Sequence, residues 1–569
     1  MEVCLVSEQF SSLKRDEIIA KMQAEEFDLL VIGGGITGAG IALDATSRFI
    51  KTALVEMQDF AAGTSSRSSK MIHGGLRYLK KLEIKLVSEV GRERAVVYEN
   101  GPHVTTPEWM IMPLYKKGPN GMFMTTIGLS LYDFLAGVKK EERKSMLDTK
   151  KLLALEPKFK QDGLVGGGRF VEYRSDDARL TIEVMKEAAT QGATVINYTK
   201  VTDFIYKDGK VIGVQIVNQV NGQVSEIRAK KIVNAAGPWV DSLRKKDHSL
   251  NSKQLHLTKG IHLVFDQSVL PLKQAVYFDT PDGRMVLMIP RDGKTYVGTT
   301  DTAYKGDIAH PRMTVKDIEY VIGMINFIFP SLNITSSDFV SSWVGIRPLI
   351  HEVGKGASEI SRKDEIWESE SGLVTIAGGK LTGYRKMAET IVDLIASKFQ
   401  QVEGKTFPPC KTKNMPISGG HVGGSKNFEA FMKDKMKLGV GLGLTEETAY
   451  SLVKKYGSNI DDLYELVKKD QQEAEKFGVP IDLYAKVIYS ITNEFTYTPV
   501  DFFLRRTGSL LFDTEWVNQW KIPVMALMGE KLDWNEEQKA TFSADLEKHL
   551  RDITVPLDEE HELGVGHGL

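Results

Sequence analysis

The chain has 569 residues, room for two or more domains, and its 42% hydrophobic and 26% charged content is that of a soluble globular protein. Lys and Arg number 73 against 75 Asp and Glu, and this balance (net charge -2) excludes the basic bias of a nucleic-acid binder. The two cysteines, Cys4 and Cys410, form no C-x-x-C, which excludes a disulfide framework and a thiolate zinc site and suits a reducing cytoplasm.

In chain order, residues 1–26 read as a leader helix with Leu13, Ile18, Ile19 and Met22 near one face. The charged run from Lys14 to Glu26 lacks the apolar core of a signal peptide. An apolar strand then runs into a glycine turn: Asp28-Leu-Leu-Val-Ile-Gly33-Gly34-Gly35-Ile-Thr37-Gly38. Gly33, Gly35 and Gly38 have the G-x-G-x-x-G spacing. That spacing serves a tight turn, a close approach to a pyrophosphate, and close helix–strand packing. A helix from about Gly38 to Arg48 would aim its N-terminal N–H groups at the phosphates. The next strand, Thr52 to Glu56, ends in an acid where ribose hydroxyls should be held. Residues 27–100 thus hold the first part of a dinucleotide-binding unit, followed by a polar loop, Gly63-Thr64-Ser65-Ser66-Arg67-Ser68-Ser69-Lys70.

Residues 101–230 mix segments of nucleotide-binding and substrate-domain type, with a hairpin pattern around Lys207–Lys210. Met122–Leu135 is too short to span a bilayer and contains Asp133; it reads as a buried helix or a membrane-surface contact. Lys116, Lys117, Lys139, Lys140 and Arg143 flank it, and Lys398, Lys405, Lys411 and Lys413 form a second basic run. In 231–254 a second strand enters a glycine turn at Asn234-Ala-Ala236-Gly237. Residues 255–365 alternate in a strand-like way and predict an antiparallel sheet that roofs a substrate. In 366–400 a third strand reaches Gly379-Lys380-Leu381-Thr382, followed by a helix from about Gly383 to Phe399. Residues 401–425 read as a linker, 426–555 as a separate α-helical domain, and 556–569 as a flexible tail.

The unit could hold NAD or FAD. Its N-terminal position, the Thr/Ser-rich basic segment after Glu56, and the late return of a glycine-turn strand favour FAD, a long cofactor buried rather than exchanged. The segments VIGGGITGAGIALDA, GTSSRSSKMIHGGLRYL, VNAAGPWVD, GTTDT, GIRPL, SRKDEI, GGKLTGYRKMAE and YTPVDFFLRRT resemble the FAD-dependent, respiratory glycerol-3-phosphate dehydrogenase family over residues 27 to about 550. The resemblance implies a Rossmann-like FAD-binding domain of the glutathione-reductase and amino-acid-oxidase type, α/β and α+β in class. An antiparallel-sheet substrate domain and a C-terminal α-helical domain complete it. It further implies oxidation of sn-glycerol 3-phosphate to dihydroxyacetone phosphate, hydride transfer from C2 to flavin N5, and quinone as acceptor. Quinone implies a cytoplasmic enzyme peripheral on the cytoplasmic face of the membrane, touching but not spanning it. Oligomeric state is left open, a homodimer being one option.

Carried onto these motifs, Arg77, Arg347 and Arg362 would grip the substrate phosphate, because planar cations suit a dry phosphate site. Tyr78 would wrap the substrate or stack on the flavin. His262 is the first choice of base because histidine titrates near neutrality, with His73 near the flavin loop as an alternative. Arg347 could instead polarise the alcohol. Lys380, with the helix behind it, would stabilise charge on the flavin N1–C2=O edge. The cofactor-binding set is Asp28, Gly33, Gly34, Gly35, Thr37, Gly38, Glu56, Thr64, Ser65, Ser68, Ser69, Lys70, His73, Ala236, Gly237, Gly379, Lys380, Leu381 and Thr382. The loop members would meet FAD through hydroxyls and N–H groups. No metal-ligand spacing occurs among the histidines. The rival readings are a glycerol-3-phosphate oxidase using O₂, an amine or amino-acid oxidase of the same flavin superfamily, and a flavoprotein that only binds nucleotide.

Overall fold

Two sheets carry the fold in the computed structural model, which describes residues 10–74, 83–116, 121–352 and 364–557. The first sheet is parallel at its centre, in the order Val374–Ala377, Val224–Asn234, Glu26–Ile32, Thr52–Val55, Thr194–Ile196. Its central strand is a continuous apolar run, with Leu29, Leu30 and Val31 wholly buried, as a strand covered on both faces demands. Glu365–Glu368 adds an antiparallel edge, and Thr199–Lys207 with Lys210–Asn218 forms the expected hairpin. Helices Ile36–Ser47, Asp177–Thr190 and Tyr384–Glu403 pack beside the glycine turn.

Among the described residues the second sheet has ten strands. Its spine is the long antiparallel pair Lys253–Asp266 and Phe339–Glu352. The sheet is not wholly antiparallel, since Ala275–Asp279 runs parallel to Thr105–Tyr115. Nor is it confined to the stretch after residue 254: Met71–Ile72, Thr105–Tyr115, Ser145–Leu147 and Leu164–Ser175 all join it.

Beyond residue 425 the described residues are helical and include the long helix Thr514–Lys531. It carries Pro523 and has no clear apolar stripe, so its pattern is not that of a surface helix. The helical domain buries Phe502, Phe503, Leu510 and Leu511 against Val264, Tyr296 and Trp343 of the second sheet. Each such side chain contributes about 1.5–3 kcal/mol of transfer free energy. The leader helix is Arg15–Ala24, with Ile18, Ile19 and Met22 inward. Leu13 instead lies in the preceding 3₁₀ turn and is exposed, because the helical period begins only after it.

A buried ion network ties the helical domain to the first sheet. Asp59, just past the strand ending at Val55, accepts from Arg505 Nε at 2.5 Å and Arg506 Nη1 at 2.7 Å. Arg506 Nη2 adds a bond at 2.8 Å and Asn197 one at 3.0 Å. Arg179 bridges Glu183 and Glu494 alongside. Although burial opposes ionisation, Arg506 and Arg505 hold the Asp59 carboxyl down to about 2. Asp59→Ala strands two buried guanidinium groups and should cost about 3–5 kcal/mol in urea unfolding of the flavin-loaded protein. A loss below about 1 kcal/mol, the range of a surface pair, would show the network to be dispensable.

Candidate active site

The nucleotide cradle begins at Gly33, whose φ of +116° and closeness to Ala235 (a Cβ would lie 2.5 Å from its O) admit no side chain. Gly38 packs directly on the Gly33 carbonyl, so the helix Ile36–Ser47 starts hard against the turn. Gly35 occupies its N-cap without a capping side chain; the Ile36 N–H donates to Ser65 Oγ at 2.9 Å. Thr37 lies half-buried in the first helical turn. The remaining N–H groups of that turn form the anion site such a helix start provides. Glu56 accepts from Gly34 N at 2.6 Å and Gln58 N at 2.8 Å, at the C-terminal end of its strand. Burial, offset in part by those N–H groups, raises its carboxyl above the ordinary range. Ala236 and Gly237 form the turn after Val224–Asn234, against Gly33. This donor set fits the pyrophosphate and ribose of FAD.

Asp28 does not belong to this cradle. It sits at the opposite end of the strand and pairs with Lys405 at 3.1 Å and Lys230 at 3.4 Å. Ligands of parallel sheets gather at the strands' C-terminal ends, where the turns leave the sheet.

The loop after Glu56 is lashed down by its own polar groups. Thr64 Oγ1 donates to Ile346 O at 2.7 Å, and Ser68 Oγ to Asp177 Oδ2 at 2.7 Å. Lys70 Nζ meets Asp177 Oδ1 at 2.6 Å and Ser66 O at 3.0 Å. The side chains of Thr64, Ser68 and Lys70 are therefore committed within the protein; their work is to fix the loop. Ser69 Oγ lies 2.9 Å from His262 Nε2. Farther on, Thr382 Oγ1 accepts from His73 N at 3.1 Å and donates to His73 O at 3.2 Å. That clamp draws His73 onto Gly379-Lys380-Leu381-Thr382, where Lys380 is the N-cap of the 3₁₀ turn leading into Tyr384–Glu403.

One face of the strand pair Lys253–Asp266 and Phe339–Glu352 receives the loop. Along it His262 opposes Trp343, Gly260 opposes Gly345, and Thr258 opposes Arg347. The two glycines open the middle of the face. Arg67 O rests where a Gly345 side chain would stand, and the Arg347 guanidinium lies over Gly260. Arg347 is 26% exposed and aimed by Thr299 Oγ1 at 2.7 Å, Thr300 O at 2.9 Å and Asp301 Oδ1 at 3.3 Å. A cation presented this way can grip an anionic ligand without searching for its geometry. Thr299 and Asp301 come from the G-T-T-D-T segment, the one signal in sequence that carried them without a role.

His262 is buried and stacks on Trp343 with ring centroids 4.6 Å apart. Burial, then the Arg347 and Lys70 charges, push its pKa well below the ordinary 6.5. His73 is lowered to about 3 by burial and by the Lys380 and Arg94 charges. The argument that either titrates unperturbed near neutrality therefore does not hold; both are neutral imidazoles. Arg77, Tyr78 and Arg362 lie outside the described residues.

Comparison with known proteins matches residues 28–385 to the family model of FAD dependent oxidoreductases and residues 410–539 to the C-terminal domain of alpha-glycerophosphate oxidase. The aerobic glycerol-3-phosphate dehydrogenase of Bacillus subtilis (strain 168) is 61% identical over 98% of this chain and 100% of its own. That of Staphylococcus aureus (strain USA300) is 54% identical over 95% and 97%. A solved glycerol-3-phosphate dehydrogenase from Bacillus halodurans, complexed with FAD, superposes with a TM-score of 0.85 at 47% identity, covering 97% and 99% of the two chains.

With pKa values pushed this far down, neither His73 nor His262 should titrate between about pH 6 and 8. Imidazole chemical shifts, assigned with His73→Asn and His262→Asn, check this. A midpoint near 6.5 at either residue would contradict it.

Proposed function

This chain belongs to the family of FAD-dependent glycerol-3-phosphate dehydrogenases, and from that premise we propose how its residues act and where the electrons go. The substrate is sn-glycerol 3-phosphate, the product dihydroxyacetone phosphate, and the acceptor a quinone in the membrane. FAD, when bound, supplies the hydride acceptor for the substrate C2–H. Everything else falls to the chain. The observation that carries the reading is Arg347, a half-buried cation clamped by Thr299, Thr300 and Asp301 on the face that receives the cofactor loop.

Arg347, with Arg77 and Arg362, grips the phosphate and turns C2 toward the flavin. Lys380, the N-cap of the turn Leu381–Gly383, would balance the negative charge that the flavin takes on when bound. The hydroxyl proton goes to the neutral imidazole of His262, oriented by Ser69 Oγ at 2.9 Å and by the Trp343 ring. The lowered pKa keeps His262 in the neutral form that can accept a proton, while weakening it as a base until the anionic substrate lies beside it. Amine and amino-acid oxidation is the weaker reading, because the relatives that match nearly the whole chain are glycerol-3-phosphate dehydrogenases.

Quinone as acceptor requires contact with a bilayer. Among the described residues no helix is long and apolar enough to cross one. Helix Met122–Leu135 supports a peripheral contact instead. It buries Thr125, Leu129 and Tyr132 but exposes Phe123 (75%), Ile127 (46%), Leu131 (37%) and Phe134 (82%). Lys140 and Arg143 stand exposed just beyond it, suited to anionic headgroups. Lys117 lies outside the described residues. The second basic run is a poor rival. Lys398 pairs with Glu368, Lys405 with Asp28, and Lys411 lies over Phe49.

Arg347→Ala should raise KM for glycerol 3-phosphate by about 10- to 150-fold, the worth of a charge-assisted bond, and raise that for glycerol far less. Equal losses would move Arg347 from binding to chemistry. Turnover with a short-chain quinone should exceed turnover with O₂; the reverse ranking would make the protein an oxidase. The double variant Phe123→Ser/Phe134→Ser should weaken binding to phosphatidylserine-containing vesicles by about 10-fold or more. Unchanged co-sedimentation would assign the membrane contact elsewhere.

A further inference from the structure

A cavity of about 570 Å³ lies between the helical domain and the second sheet, outside the site described above. Its walls come from Asp176 and Arg291 on the sheet side, and from helix Glu446–Tyr456 and Phe512 on the other. Phe512 separates it from the catalytic face. Its ring lies 5.9 Å from Trp343, whose indole stacks on His262.

Two of its cations stand apart, Lys454 and Lys455. Six cationic side chains line it against four carboxylates, and four of the six are paired: Arg174 with Glu108, Arg179 with Glu183 and Glu494, Arg291 with Asp176, and Lys486 with Asp482. Two of the lining carboxylates, Asp176 and Asp292, are matched by Arg291 at 3.1 and 3.4 Å, and a third, Asp513, caps the Trp516 N–H. Lys454 and Lys455 are adjacent on one helix, and neither pairs with a carboxylate among the described residues. Lys455 Nζ donates to Thr507 O at 2.6 Å, and Lys454 Nζ lies over the Tyr450 ring at 5.5 Å. Lys486 lies against Trp516 but pairs with Asp482 at 2.8 Å, and Arg291 lies against Phe512 beside its partner Asp176. Aromatic contacts hold cations in place without neutralising them. Burial and the surrounding cations lower Lys455 to about 8, and Arg291, Lys455 and Lys70 hold Asp176 at about 2 against the pull of burial. Lys454 and Lys455, two adjacent cations facing the cavity with no carboxylate partner among the described residues, call for an anion, and a pair of lysine point charges suits a phosphate. The volume lies within the range of small-molecule pockets and admits a molecule of nucleotide size.

We propose that this cavity is a second anion site, taking an organic phosphate of up to nucleotide size at the junction of the helical domain and the catalytic sheet. Occupancy would be felt at the catalytic loop through Asp176 and its neighbour Asp177, which holds Ser68 and Lys70.

The test uses full-length, FAD-loaded Arg347→Ala protein, in which the substrate phosphate site is weakened, titrated calorimetrically with inorganic pyrophosphate. One site should be seen. Lys454→Gln and Lys455→Gln, each introduced singly, should weaken it about 10-fold or more. Lys468→Gln, on an exposed outer helix face, should leave it unchanged. The flavin spectrum reports that each variant has folded, and Lys454→Gln serves alone if Lys455→Gln has not. Absence of pyrophosphate binding overturns the proposal. So does affinity indifferent to Lys454→Gln, or a Lys468→Gln effect of equal size.

Discussion

The polar loop reaches the substrate sheet only because Gly345 and Gly260 leave its middle bare. Arg67 O occupies the place of one missing side chain and the Arg347 guanidinium the other. A methyl group at Gly345 would lift the loop; one at Gly260 would displace Arg347. The further bonds across this contact, Thr64 to Ile346 O, Trp343 Nε1 to Ser68 O and Ser69 to His262, all presuppose that approach. The nucleotide cradle meets the same demand at Gly33 and Gly38. Cofactor end and substrate end are thus joined by backbone packed on backbone, which fixes geometry far more tightly than long side chains do.

The charged residues of the loop obey a second constraint. Lys70 and Asp177 are both buried and are tolerable only as a pair. Their bond locks the loop to helix Asp177–Thr190, which bears on the helical domain through Arg179 and Glu494. The helical domain reaches back to the ribose end through Arg505, Arg506 and Asp59. It is a brace of the catalytic body rather than an appended cap, and the cavity lined by Lys454 and Lys455 opens along that joint.

What the sequence made legible follows the range of the interactions involved. The glycine turn, Glu56 and the third strand's return were readable because their demands are local: φ, spacing and strand ends. Family, fold and FAD followed from such segments. Asp28 misled because it shares the motif's strand but stands at the wrong end of it. The side-chain bonds of Ser68 and Lys70 were not legible because their partner, Asp177, lies more than a hundred residues away. The neutral state of His262 is likewise a tertiary effect of Trp343, Arg347 and Lys70. Periodicity outlined helix Met122–Leu135 but gave no sign that Phe123 and Phe134 face outward.

The account rests on one chain presenting a phosphate-gripping cation and a bound flavin to the same substrate. The most direct measurement is the visible spectrum of the purified protein, before and after anaerobic addition of sn-glycerol 3-phosphate. The account predicts flavin absorption at the outset and prompt bleaching by this substrate, with glycerol bleaching far more slowly. Flavin bands that persist with sn-glycerol 3-phosphate, or bleach equally fast with glycerol, would contradict it.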